Sequence, residues 1–109
     1  MSLPVSTRNK IENTKNVFVS IASFWEISIK VKLGKLSLLS DFNNMEASFE
    51  STGFKLLSIS LKDTIQLSNL PLHHKDPFDR ILVAQSLNHS LVLVSRDQAF
   101  DAYPIQRLW

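Results

Sequence analysis

The sequence predicts an α/β fold built on a short parallel sheet. Three observations lead there. Short apolar runs at residues 17–19 (VFV), 54–59 (FKLLSI) and 91–94 (LVLV) have the length and residue types of strands. Between them lie longer segments whose apolar residues recur at helical spacing. That alternation is the pattern of parallel strands joined by covering helices.

The elements follow in order. The polar stretch 6–15 (STRNKIENTK) starts a short helix, with Ser6 or Thr7 as N-cap. After the first strand, residues 21–33 are helical. Phe24, Ile27 and Val31 form the apolar side, with Trp25 and Ile29 as further candidates, and Gly34 is the terminating glycine. A connector at 36–39 leads to a helix over 41–51, with Phe42, Met45 and Phe49 on one face and Gly53 as its stop. The second strand follows, and Ser60 then opens a helix carrying Leu61, Ile65, Leu67 and Leu70 that ends before Pro71.

The best-defined helix is 77–89. Asp76 is its N-cap, Pro77 sits at N1 and Asp79 at N3. Phe78, Ile81, Leu82, Val83, Ala84 and Leu87 leave few polar sides, so this helix is expected to be largely buried. The near-continuous run at 91–94 reads as a strand of a parallel sheet covered on both faces. A short helix at 98–102 and a closing segment at 105–109 end the chain. No internal repeat or low-complexity linker interrupts it.

Composition bounds the function. A chain of 109 residues points to a single domain over 1–109, and 44% hydrophobic residues are ordinary for a globular protein. With no cysteine, disulfides and thiolate metal sites are excluded. Any metal must be held by oxygen or by His73, His74 or His89. Twelve basic against ten acidic side chains give a net charge of +2, which permits nucleic-acid contact without arguing for it. No apolar run is long enough to cross a bilayer. No signal-peptide pattern opens the chain, so a cytoplasmic location is the expectation.

The acids carry the candidate chemistry. Asp76 and Asp79 open one helix, and Asp97 follows the strand at 91–94 directly. Ligands of open parallel sheets sit beyond the carboxyl ends of the strands. Each acid also has a plainer role: Asp76 and Asp79 suit the first turn of a helix, and Asp97, with Ser95, suits the cap of the next. Glu26 lies in a mostly apolar helix, either paired with Lys30 four residues on or turned inward. Taken jointly, Glu26, Asp79 and Asp97 are expected at one sheet edge. Crowded carboxylates there would recruit a cation, and oxygen ligands suit Mg²⁺ or Mn²⁺.

Other polar residues are weaker signals. His73 and His74 read as exposed loop side chains rather than metal ligands, and His89 as a favourable charge at a helix carboxyl end. Arg80 and Arg96, beside two of the acids, read as substrate contacts or as balance for site charge. Lys30, Lys32 and Lys35 form a basic run, usually a solvated face, that is also able to meet phosphate.

Three stretches together, SIASFWEISIKVKLGKL, LPLHHKDPFDRILVAQSL and LVLVSRDQAFDAY, resemble the PIN-domain ribonucleases, and most closely the VapC-type toxins of toxin–antitoxin pairs. The resemblance implies a three-layer α/β/α fold and a Mg²⁺- or Mn²⁺-dependent endoribonuclease with a four-acid site. Glu26 matches the acid of the family's Trp-Glu motif, Asp79 the acid before the apolar helix stretch, and Asp97 the acid after the fourth strand. Ser95 stands where the family often has a small hydroxyl near the metal. Asp76 is a neighbour whose role is capping, with metal or water contact as an addition. Implied partners are an RNA substrate, a cognate antitoxin and a second copy of the chain. One departure accompanies the match. Family members begin with a strand bearing an aspartate in a DTH-like motif, and this sequence has neither, so the reading is of a fold incomplete at its N-terminus. Rearranged strand pairing, or a sheet completed by a second chain, is then expected. The alternative function is a catalytically impaired module that binds an antitoxin or self-associates.

Overall fold

The computed structural model describes residues 3–109. They form two compact units: one of Asn16–Ser58, the other of residues 3–15 with Ile59–Trp109. The fold is mixed α/β, with five α-helices and two two-stranded parallel sheets among the described residues. The sequence leads one to expect one sheet; the observed strands pair two by two, each pair inside its own unit.

In the first unit, β1 (Phe18–Ser20) pairs in parallel with β2 (Lys55–Leu57), with Val19 opposite Leu56. Helix α2 (Ile21–Lys32) starts directly after β1 because buried Ser20 accepts the Ala22 N–H at 3.1 Å. Its end follows from Gly34, whose φ of +72° is costly for any residue with a Cβ. Gly34 N–H reaches Val31 O at 3.1 Å and Lys35 N–H reaches Lys30 O at 2.9 Å, the paired bonds of a Schellman turn. The helix expected at 41–51 is split: a 3-10 turn at Phe42–Asn44, capped by Asp41, precedes α3 (Met45–Glu50). Phe24 of α2 meets Phe49 of α3 edge to face, with centroids 5.2 Å apart.

In the second unit, α1 (Val5–Asn13) begins at Pro4 with no side-chain cap, so neither Ser6 nor Thr7 caps it; Thr7 is buried instead. Proline's fixed φ sets the entry, and Pro4 O accepts the Arg8 N–H. Helix α4 (Leu61–Asn69) opens with a full capping box between Ser60 and Asp63. Helix α5 (Pro77–His89) starts and stops where expected and buries Ile81, Val83, Ala84, Gln85 and Ser86. Its stop is Ser90, in the left-handed region at φ 54°.

Strand β3 (Val92–Val94) pairs in parallel with β4 (Gln106–Leu108) across a 3-10 turn at Gln98–Ala102. β3 is not covered on both faces. Leu93 packs on the core of Val83, Phe100 and Tyr103, whereas Val92 and Val94 are 50% and 39% exposed. Successive side chains of a strand point to opposite faces, and only the face bearing Leu93 meets that core. β4 carries too little apolar alternation to be read as a strand from sequence.

Candidate metal centre

Asp63 ties α4 to α5. The carboxylate is inaccessible to solvent and accepts from the Ser60 backbone N–H, from Asn88 Nδ2 at 2.8 Å and from Gln85 Nε2 at 3.4 Å. Burial pushes its pKa up, but the hydrogen bonds from Asn88, Ser60 and Gln85 outweigh that, and the net direction is down. Arg80 of α5 adds a second link: Nη2 donates to Leu67 O at 3.3 Å and Leu70 O at 3.2 Å, at the carboxyl end of α4. The Asp63 bonds hold the carboxyl-terminal half of α5, and the Arg80 bonds hold its amino end, where Asp79 sits.

Asp76 and Asp79 divide the work at that end. Asp76 Oδ1 accepts the N–H groups of Phe78 at 2.8 Å and Asp79 at 3.4 Å, so it is the cap. Asp79, at N3, is half-buried, its side chain 28% exposed. Asp97 leaves β3 and accepts the Ala99 N–H through Oδ1 at 3.0 Å. Ser95 stands two residues before it: its hydroxyl accepts the Asp97 N–H at 3.1 Å, while its backbone is held by Leu108 and Arg107. Arg107 also pairs with Asp101 through Nε and Nη2 at 2.8 and 3.0 Å, which depresses the Asp101 pKa and raises that of Arg107.

The structure brings Asp79 and Asp97 together, and it adds His74. One ligand atom from each of the three lies within 4.8 Å of the others. His74 Nδ1 is 3.9 Å from Asp79 Oδ2. The expectation that His74 is an exposed loop residue is therefore corrected: its side chain is only 14% exposed, because the ring packs on Phe100 and Tyr103. The loop before α5 is fastened by the buried Tyr103 hydroxyl, which accepts the backbone N–H groups of His73 and His74 and donates to Pro71 O. His73 remains exposed, its ring edge-on to Tyr103. The sequence leaves His74 as one of three possible nitrogen ligands, and nothing local separates it from its neighbour His73.

Glu26 belongs to the other unit. It is partly buried and pairs with Lys30 at 3.2 Å, the i,i+4 contact the sequence suggests. Lys30 is half exposed beside it. Arg96 is exposed in the turn between β3 and Asp97.

A half-buried imidazole and two carboxylates at helix and strand ends form a site suited to a divalent cation. Consistent with that class of α/β protein, the chain matches the PIN domain family over residues 4–106. It belongs to that family. No curated protein and no solved structure matches it. No helix among the described residues is long and apolar enough to cross a membrane.

Proposed function

We propose that this chain is a metal-dependent endoribonuclease, the toxin component of a toxin–antitoxin pair of the VapC type. The observation that carries the reading is the convergence of His74, Asp79 and Asp97 within 4.8 Å in a PIN-family chain. The donor set fits the cation. Two carboxylates supply charge, Asp97 Oδ2 receives no hydrogen bond among the described residues, and Asp76 is spent on capping, so it does not compete. Asp79 and Asp97 would hold Mg²⁺ or Mn²⁺; Glu26 is proposed as a catalytic acid on the resemblance alone. A divalent cation there supplies an activated water and neutralises charge developing on a phosphodiester.

The chain's own residues do the rest. Ser95 orients Asp97 through its backbone N–H. Asp76 rigidifies the turn that presents Asp79. Lys30 and Arg96, both exposed, are the proposed contacts for RNA phosphates. Arg80 is the least suited of the proposed substrate contacts, because its Nη2 is occupied at the end of α4. The proposed setting is cytoplasmic, with an antitoxin and a second copy as partners. A second reading, a catalytically impaired module that grips an antitoxin or self-associates, is favoured by one observation: the cluster holds two acids, not four. Incubation with single-stranded and structured RNA at several Mg²⁺ and Mn²⁺ concentrations separates the two. Cleavage that disappears in Asp79→Asn supports the enzyme; equal background in both chains supports the module.

A further inference from the structure

We infer that His74 is itself a ligand of the cation at Asp79 and Asp97, and that it biases the site toward Mn²⁺ over Mg²⁺. This rests on the metal-dependent reading above. The four-acid pattern gives no role to a histidine, so the assignment comes from this chain's geometry.

The ring is held by packing, and its polar approach is to Asp79. Phe100 lies 5.1 Å from it, centroid to centroid, and Tyr103 lies nearly parallel at 6.3 Å with 9° between the planes. The backbone N–H of His74 is bonded to Tyr103 Oη at 3.0 Å. The ring nitrogens themselves make no hydrogen bond among the described residues. Nε2 is buried without a partner. Nδ1 approaches Asp79 Oδ2 only to 3.9 Å, which is too long for a hydrogen bond. Aromatic packing fixes this imidazole beside two carboxylates with Nδ1 toward Asp79, and Nδ1 is the nitrogen assigned to the cation. That is the arrangement of a preformed ligand. Donor chemistry then sets the preference. Mg²⁺ demands oxygen and keeps its waters; Mn²⁺ shares its taste for carboxylates but, as a transition-metal ion, accepts a nitrogen donor more readily than Mg²⁺ does.

The test is Mn²⁺ binding by the purified chain, read from the electron paramagnetic resonance signal of free Mn²⁺, with Mg²⁺ affinity measured by competition. The set is wild type, His74→Ala, His74→Gln and Asp79→Asn, each checked for folding by thermal melting. Loss of a ligand is expected to weaken Mn²⁺ about tenfold or more, the scale seen even for outer-shell partners, and to move Mg²⁺ affinity less. A measurement on unaltered His74 guards against misfolded variants: substoichiometric Mn²⁺ should broaden the His74 imidazole proton signals before those of His73 and His89, with assignment from His73→Gln and His89→Gln. Unchanged Mn²⁺ affinity in both His74 variants, or His74 signals no broader than those of His89, overturns the inference. If Asp79→Asn loses Mn²⁺ while the His74 variants keep it, only the His74 assignment falls. If wild type takes up no Mn²⁺, the assignment and the metal-dependent reading fall together.

Discussion

Tyr103 and His74 are joined twice: the phenolic oxygen accepts the His74 backbone N–H at 3.0 Å, and the two rings lie 9° from parallel. The same oxygen accepts the His73 N–H at 3.2 Å and donates to Pro71 O at 3.0 Å. One buried hydroxyl thus organises the loop that delivers both His74 and the N-cap Asp76.

Tyr103→Phe keeps the ring and removes that hydroxyl. The His74 N–H loses its partner, while the His73 N–H and Pro71 O keep each other at 3.0 Å, and the expected loss of stability is about 1–3 kcal/mol. Urea unfolding measures it. A shift in the midpoint with an unchanged slope would show a loss of stability without a change in the surface exposed on unfolding.

Asp63 gives the fold its main carboxylate-dependent link. Asp63→Ala removes the capping box and takes away an acceptor of the Gln85 and Asn88 amides, for an expected cost of about 2–4 kcal/mol. The pH dependence has a fixed sign. The folded pKa lies below its ordinary value of 3.8, so the stabilisation is present above that value and is lost as pH falls through the lowered one. Wild type should therefore lose stability on acidification below about pH 4, and Asp63→Asn should show a shallower loss in the same denaturant series.

Asp76 and Asp79 are separable. Asp76→Ala removes an N-cap and should cost about 1 kcal/mol. Asp79→Asn leaves the cap in place and should alter stability less, while weakening cation binding far more. Thermal melts with and without Mn²⁺ give both readouts: added metal should raise the melting temperature of Asp76→Ala and leave that of Asp79→Asn unmoved.

Much of the fold is legible because it is written locally. Asp76-Pro77 marks the start of α5, Gly34 the end of α2 and Ser60 the start of α4, each through a backbone requirement that few residues meet. β4 is different: Gln106, Arg107 and Leu108 form a strand because β3 offers a partner, and that pairing is not local. The division of strands into two pairs is hidden for the same reason. In the site, Asp79 and Asp97 were visible from their places after a cap and after a strand. His74 was not, since its burial comes from Phe100 and Tyr103, which the fold brings back from the far end of the chain. Arg80, adjacent in sequence to Asp79, suggests a substrate contact until its bonds to Leu67 and Leu70 are seen.

The central claim is that the cation at Asp79 and Asp97 makes this chain a ribonuclease. The most direct measurement is the single-turnover cleavage rate of a single-stranded RNA as Mn²⁺ is titrated, for wild type and Asp97→Asn. A rate that rises and saturates with Mn²⁺ in wild type, and falls by about a hundredfold or more in the variant, is the predicted result. A rate independent of Mn²⁺, or equal in the two chains, would contradict it.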